Sequence, residues 1–432
     1  MKNRKALALI AILALVAAAC GGSDGGSDDA VVEVETTEAP ATTEAPTTTA
    51  APAPASDPLI LASLMPLSGD LASLGPGIAL GAALAVEQIN AAGGINGQPV
   101  QLIEGDSGCD GAVALTSLND VIAQGAQGVM GAACSGTSLA ILDTAIAAEV
   151  VMVSPSNTSP QFTKIDKKGF YARTAPSDLL QGDVLASLLV EDGVQTVSII
   201  SRADSYGRGL AEATAAAFEA AGGTVKTIVY HATDASEFTS EVTAVGKGGA
   251  DAIVGILFPE TGCGVLQPAF EQGLLDTPWY MTDGVKDAGL ASLCGLGTAL
   301  DGFKGTAPGS AAGEAKDAFE AAYAEVSADG SPTFIFAPQA YDAVMLMAIS
   351  AAANGVTGPE IASGLVAASS GGEKCIGVAC IALAADGVDV DYVGASGEIE
   401  LNAVGDPTAA TYDIWTTEGD TNPVLKSVDF GS

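Results

Sequence analysis

Histidine is almost missing: His231 is the only one in 432 residues. Sites built on several histidines are excluded, HExxH helices among them, and a Ser-His triad would have to use that one residue. Positive charge is scarce too. Sixteen Lys and Arg stand against 52 Asp and Glu, a net charge of −36. A polyanion of this strength is repelled by phosphate backbones, so nucleic acid is not an expected partner. No CxxC pair, Walker A sequence or DxDxDG loop occurs. Zinc ribbons, nucleotide hydrolysis and EF-hand calcium binding therefore lack their usual residues. GPGIALG at 75–81 carries one residue too many for GxGxxG, and Ser135 is not in a GxSxG elbow. Neither an enzyme nor a metal or cofactor site is expected.

What is abundant is apolar residues, 48% of the chain. That is enough to fold, and the length allows two domains at ~100–200 residues each. The N-terminus reads MKNRKALALI AILALVAAAC. Lys2, Arg4 and Lys5 precede an apolar stretch from Ala6 to Ala19. Fourteen residues are short of the ~20 that a membrane span needs and suit a secretion signal. Small residues lead into Cys20, Gly21 and Gly22, the pattern of a bacterial lipoprotein signal in which Cys20 takes the lipid. Residues 1–20 are thus expected to be a signal peptide and to leave a membrane anchor. Residues 21–57 contain TTEAPATTEAPTTTAAPAPA and no Lys or Arg. They cannot bury enough apolar surface to offset chain entropy and read as a disordered tether.

Six further cysteines remain: Cys109, Cys134, Cys263, Cys294, Cys375 and Cys380. An even number in an exported body suggests three disulfides. Fifteen pairings are possible, and nearest neighbours give Cys109–Cys134, Cys263–Cys294 and Cys375–Cys380.

The body alternates apolar runs with helical stretches. Strands are expected at Leu59–Met65, Val100–Glu104, Gly128–Gly131, Val150–Ser154, Thr196–Ser201, Val225–Tyr230, Ala252–Phe258 and Trp279–Thr282. Helices fall between them, which implies parallel sheets covered on both faces in an α/β fold. The pattern repeats on either side of Asp178, suggesting two Rossmann-like lobes joined by a multi-strand hinge. After residue 310 the alternation breaks into helices and then a hairpin-like pair, Gly397–Asn402 and Thr411–Thr416. These pieces are expected to complete the lobes. The first lobe is then 58–178 plus about 307–390, and the second 179–306 plus about 391–432.

Ligands of parallel α/β sheets bind beyond the carboxyl ends of the strands. The loops there read MPLSGDLASLGPG (65–77), GAACSGTS (131–138), VSPSNTSP (153–160), SRADSYGRG (201–209), LFPETGCG (257–264) and YMTDGVKDAG (280–289). Together with GAALAVEQINAAGGINGQPVQLIEGDSGCD, SYGRGL and YDIWTT, they resemble the type I periplasmic binding proteins that serve branched-chain amino acid ABC transporters. The likeness covers about 58–432, and the 25-residue gap from Cys109 to Cys134 matches a disulfide familiar in that family.

The resemblance implies an amino acid held between the lobes. Ser135, Thr137 and Thr158 would take its carboxylate, where a helix start supplies free N–H groups. A carbonyl oxygen of Ser156 and the carboxylate of Asp283 would take its ammonium. Asp283 stands where relatives often have Glu. Tyr206 would close over the ligand, Phe258 and Leu74 would line its side-chain pocket, and Asp178 would orient the ammonium network. Each also has a purely structural reading: helix caps for Ser135 and Thr137, turn residues for Thr158 and Asp283, core for the apolar ones.

The function implied is an extracytoplasmic solute-binding lipoprotein on the outer face of the cell membrane. It would capture a branched-chain or other neutral amino acid and deliver it to an ABC permease. An amide, urea or other small polar metabolite is the alternative ligand, and a cell-surface hydrolase the alternative class.

Overall fold

The computed structural model describes residues 57–430. The expected signal, Cys20 and nearly all of the expected tether lie outside the described residues.

The first sheet holds β1 (Ile60–Met65), β2 (Gln101–Asp106), β3 (Gly128–Gly131), β4 (Val151–Ser154) and β5 (Tyr171–Arg173). Their order is β2-β1-β3-β4-β5, all parallel. The second sheet starts with β6 (Thr196–Arg202), β7 (Thr224–His231), β8 (Ala252–Ile256), β9 (Trp279–Met281) and β10 (Lys304–Pro308). A third, small sheet holds β11 (Glu373–Ile376), β12 (Val390–Gly394) and β13 (Gly397–Glu398), and β14 (Ala410–Thr416) and β15 (Val424–Phe430) return to the second. The second sheet runs β15-β14-β10-β9-β8-β6-β7, parallel except at β14 and β15. The architecture is the α/β, two-lobed, mostly parallel one the alternation implied.

The interior strands are apolar on both faces because both faces are covered. Leu64, Val129 and Met152 pack against Leu118, Val121, Ile141 and Leu142 of helices Gly111–Ala123 and Ser135–Ala147. On the other face, Leu61, Met130 and Val151 belong to the same core as Ile78 and Ala82 of helix Gly75–Ala91 and Val344 and Met347 of helix Ala337–Asn354. Every residue from Ala337 to Ala351 is buried, as expected of a mostly apolar helix, with Gln339, Asp342 and Ser350 as its buried polar exceptions. The two helices meet closely at Gly81, where a Cβ would lie 2.2 Å from the Ala337 carbonyl oxygen. Edge strand β2, QLIEGD, is half exposed and correspondingly polar.

The expected hairpin does not form. β13 pairs antiparallel with β12, and β14 pairs with β10 and β15. Alternation marked both segments as strands but carried no information about partners far away in sequence. Strand pairing also joins β11 to β12 across the division expected near residue 390. Buried Asp342 fastens this small sheet to helix Ala337–Asn354. It accepts from Tyr392 Oη at 2.7 Å and from the Ala395 and Ser396 N–H groups at 2.7 and 2.8 Å. Burial pushes its carboxyl up to about 6. The three disulfides join nearest neighbours, with Cα–Cα distances of 5.5 Å for Cys109–Cys134, 4.9 Å for Cys263–Cys294 and 5.4 Å for Cys375–Cys380.

The chain passes between the large sheets after β5, after β10 and again before β14. A buried ion pair ties the last crossing to the first lobe. Arg173 is fully buried and grips Asp406 through Nε to Oδ1 at 3.0 Å and Nη2 to Oδ2 at 3.1 Å. Its Nη1 donates to the carbonyls of Asn157 and Ser159, both at 3.0 Å. Removing one partner strands the other in the interior. Arg173→Met is expected to cost about 3–5 kcal/mol in urea unfolding. A loss below about 1 kcal/mol, the worth of a surface pair, would contradict this reading.

Candidate functional site

The loops beyond β1, β3 and β4 face those beyond β6, β8 and β9 across a central cavity. Leu74, Ile78, Ser135 and Ser156 line it from the first lobe, and Tyr206, Phe258, Asp283 and Gly284 from the second. Phe336, on the segment entering helix Ala337–Asn354, completes the wall. The volume is only about 20 Å³. That is room for one water at ~10–15 Å³ each, so a ligand has to part the lobes before entering.

The first-lobe side is held by a clamp between two loops. Asn157 Nδ2 donates to the carbonyls of Ala132 and Ala133 at 3.0 and 2.8 Å. Ser154 Oγ and Ser156 Oγ donate to the same two carbonyls at 2.8 and 3.1 Å. Tyr171 Oη donates to Asn157 Oδ1 at 3.0 Å, and Arg173 holds the carbonyls on either side of Thr158. Ser135 is the first residue of its helix, after N-cap Cys134, and its Oγ accepts from the Ser159 N–H at 3.4 Å. The first N–H groups of a helix have no partners within it and favour an anion.

In the second lobe Asp204 caps helix Ser205–Ala220 by accepting from the Gly207 N–H at 2.8 Å. This sets Tyr206 in the first turn, buried against the cavity. Thr282 Oγ1 lies 2.8 Å from Tyr206 Oη, which donates to Asp283 Oδ1 at 3.0 Å. Gln181 Nε2 donates to the same oxygen at 2.8 Å. Gly284 fits because a Cβ there would meet the Leu257 carbonyl oxygen at 2.4 Å.

The electrostatics are one-sided. Asp283 is 3% exposed, and burial pushes its carboxyl up to about 6 although Gln181 and Tyr206 support the charged form. Among the described residues no Lys or Arg offsets it. Asp178 is fully buried, and among the described residues its carboxylate oxygens make no hydrogen bond of good geometry, the neighbouring Thr158 hydroxyl giving only partial support. Burial, then the charge of Asp283, drive its pKa well above the ordinary carboxylate range. A raised carboxyl favours the empty fold in acid, and that contribution is lost as pH rises through about 6 at Asp283. A cation between the lobes would reverse this balance.

Of the nine residues singled out in the sequence, Leu74, Ser135, Ser156, Tyr206, Phe258 and Asp283 line the cavity. Thr158 and Asp178 are fully buried behind its wall, with the Asp178 N–H donating to the Thr158 carbonyl at 2.8 Å. Thr137 lies elsewhere: it lines an outer groove with Asp70, Asp110 and Asp204. Two residues apart on a helix means about 200° of rotation, so Ser135 and Thr137 look opposite ways. Sequence reasoning missed Gln181, Asn157, Arg173, Asp406 and Phe336. The one available signal was scarcity: in a chain with 16 basic residues, a buried Arg has a specific partner.

A family model described as periplasmic binding protein matches residues 58–374. The chain belongs to the periplasmic binding protein family. Among curated relatives, an amino acid binding protein of Pseudomonas aeruginosa is 34% identical over 238 residues, 53% of this chain and 62% of that protein. The chain thus spans less than two thirds of that relative. A leucine-, isoleucine-, valine-, threonine-, and alanine-binding protein of the same species is 29% identical over 304 residues, 68% of this chain and 78% of that protein. Two solved structures share the fold. One is the branched-chain amino acid transporter substrate binding protein of Streptococcus pneumoniae in complex with isoleucine. It is 22% identical, has a TM-score of 0.72, and the match covers 87% of this chain and 100% of that one. The other is an ABC transporter solute binding protein of Rhodopseudomonas palustris in complex with p-hydroxybenzoic acid. It is 19% identical, with a TM-score of 0.72 and coverage of 87% and 98%.

Contacts across the cleft hold the two walls together. Ser159 Oγ donates to the Ser205 carbonyl at 2.9 Å. Arg202 Nη2 pairs with Asp70 Oδ2 at 3.0 Å, with the aspartate 26% exposed. The same guanidinium lies 4.0 Å from the Phe258 ring centroid, and Phe258 stacks on Tyr206 at 5.3 Å. The lip of the cleft is thus wired to the cavity wall. Asp70→Asn is expected to shift the closed-to-open ratio of the empty protein about three- to fivefold, the worth of a partly exposed pair. X-ray scattering should show a larger radius of gyration in low salt than for the unmodified chain, with the two converging in high salt. Identical curves at both ionic strengths would remove Asp70 from the latch.

Proposed function

We propose that this chain is an extracytoplasmic receptor that captures a small neutral amino acid, branched-chain ones included, between its lobes and hands it to an ABC permease. One observation carries the reading: a buried carboxylate, Asp283, lines the cavity with no cation beside it, opposite a helix start that favours an anion. A zwitterion matches both ends. Its ammonium would meet Asp283, with Asp178 adding negative potential from behind. Its carboxylate would meet Ser135 and the N–H groups of that helix. Leu74, Ile78 and Phe336 offer an apolar wall to the side chain. The relatives that bind leucine, isoleucine and valine support this class of ligand.

Capture follows from population shift. A ligand touching both lobes stabilises the closed form by its differential affinity for the two states. No bond is made or broken, and the closed lobes present a surface that the open ones do not. The same charges argue against a ligand with a carboxylate and no ammonium, such as hydroxybenzoate, which would place an anion near two buried carboxylates.

Calorimetry separates these ligands. Leucine is expected to bind, and 4-methylpentanoate, which lacks only the amino group, to bind at least about a hundredfold more weakly, as for loss of a buried charged partner. In Asp283→Ala the difference should largely vanish because leucine loses its partner. Equal affinity of the two ligands for the unmodified chain would overturn the proposal.

A further inference from the structure

Behind the wall of the central cavity lies a larger space. Phe336 lines the cavity of about 20 Å³ and also borders a rear crevice of about 240 Å³. Among the described residues it is the one that lines both, so it stands between them. Pro308, Phe334, Pro338 and Val424 give the crevice apolar surface. Its Lys286 is paired with Asp287 at 3.5 Å.

A contact from the opposite lobe holds this partition. Asp287, between β9 and β10, accepts through Oδ2 from the Ile335 N–H at 2.9 Å, one residue before Phe336. Phe336 has a φ of +61°, in the left-handed region that bulky side chains avoid. The helix it precedes does not ask for that conformation. An N-cap is normally extended and caps with its side chain, and Phe336 does neither. Asp287 is left-handed as well, at a φ of +60°, and its own N–H donates to Asn422 Oδ1 at 3.0 Å. Such backbone persists only where its neighbours over-determine it, and it gathers at functional sites. Asp287 also lies four residues after Asp283, so one loop touches both the cavity and the anchor of its partition.

We propose that Phe336, fixed by Asp287 through the Ile335 N–H, limits the size of the ligand side chain by barring it from the rear crevice. A branched aliphatic chain ends against the ring, whereas an indole has to pass it. Phe336 is then a specificity-determining residue and Asp287 a positioning residue that acts through it. This rests on the cleft being the ligand site and adds which ligands it excludes.

The test compares leucine with tryptophan by calorimetry in the intact chain, Phe336→Ala, Asp287→Ala and the double variant. Phe336→Ala joins the two spaces and should raise tryptophan affinity relative to leucine by at least about tenfold. Asp287→Ala should move the ratio the same way and add little on top of Phe336→Ala, because both act on one partition. Asp287→Asn keeps an acceptor for the Ile335 N–H and should stay nearer the unmodified ratio than the alanine. A general loss of packing would weaken both ligands together and leave the ratio where it was. An unmoved ratio in Phe336→Ala overturns the partition, and an Asp287→Ala effect that simply adds to it overturns the role given to Asp287. The same ratio is read with the des-amino pair, 4-methylpentanoate and indole-3-propionate. If those acids bind as well as the amino acids, the proposed ammonium site fails while the partition is still judged on size. Binding of neither pair by any of these chains overturns both.

Discussion

An uncompensated negative charge in a shut cleft governs the central site. Asp283 lies in a cavity with room for one water, supported by Tyr206 and Gln181 but facing no cation. Asp178 sits behind it with no well-formed hydrogen bond to its carboxylate among the described residues and only the Thr158 hydroxyl near it. Interiors do not tolerate bare carboxylates, so the empty protein answers by raising their pKa values. Protonation is a compromise that a ligand ammonium can displace. On the proposed reading, specificity for an ammonium would come from what the protein leaves unpaired, since a fully satisfied network would have nothing to offer.

The scaffold keeps that charge in place at considerable structural cost. The first-lobe loops are fastened to one another through Asn157 and to the far end of the chain through Arg173 and Asp406, 233 residues apart. The second-lobe side depends on a stack of Arg202, Phe258 and Tyr206 that ends on Asp283. These two rigid walls meet at contacts of modest strength, the Asp70–Arg202 pair and the Ser159–Ser205 bond. Rigid walls with weak seams suit a receptor that has to reopen.

Much of this was legible in the sequence. Runs such as LASLM and AIVGI are largely apolar on both faces, which marks interior parallel strands, and eight expected strands lie within a few residues of those observed. The three-residue strand Tyr171–Arg173 escaped because its position depends on its neighbours rather than on its own pattern. Pairing of the last strands escaped because alternation names a strand and not its partner. At the site, polar residues in strand-end loops stood out, and the family likeness ordered them. Thr137 was grouped with Ser135 because both open one helix, although helical rotation separates them. The Arg173–Asp406 clamp joins segments whose proximity exists only in the fold. Phe336 lay hidden in a crossing segment that sequence patterning left unassigned.

If a bare carboxylate awaits an ammonium, binding has to expel its proton. The direct measurement is leucine calorimetry at pH 6 in buffers of different ionisation enthalpy, which counts protons exchanged per ligand. With Asp283 at about 6 in the empty protein, its ionisation alone releases about half a proton on binding, and Asp178 can only add to that number. Binding with no proton release, or with proton uptake, would contradict the account.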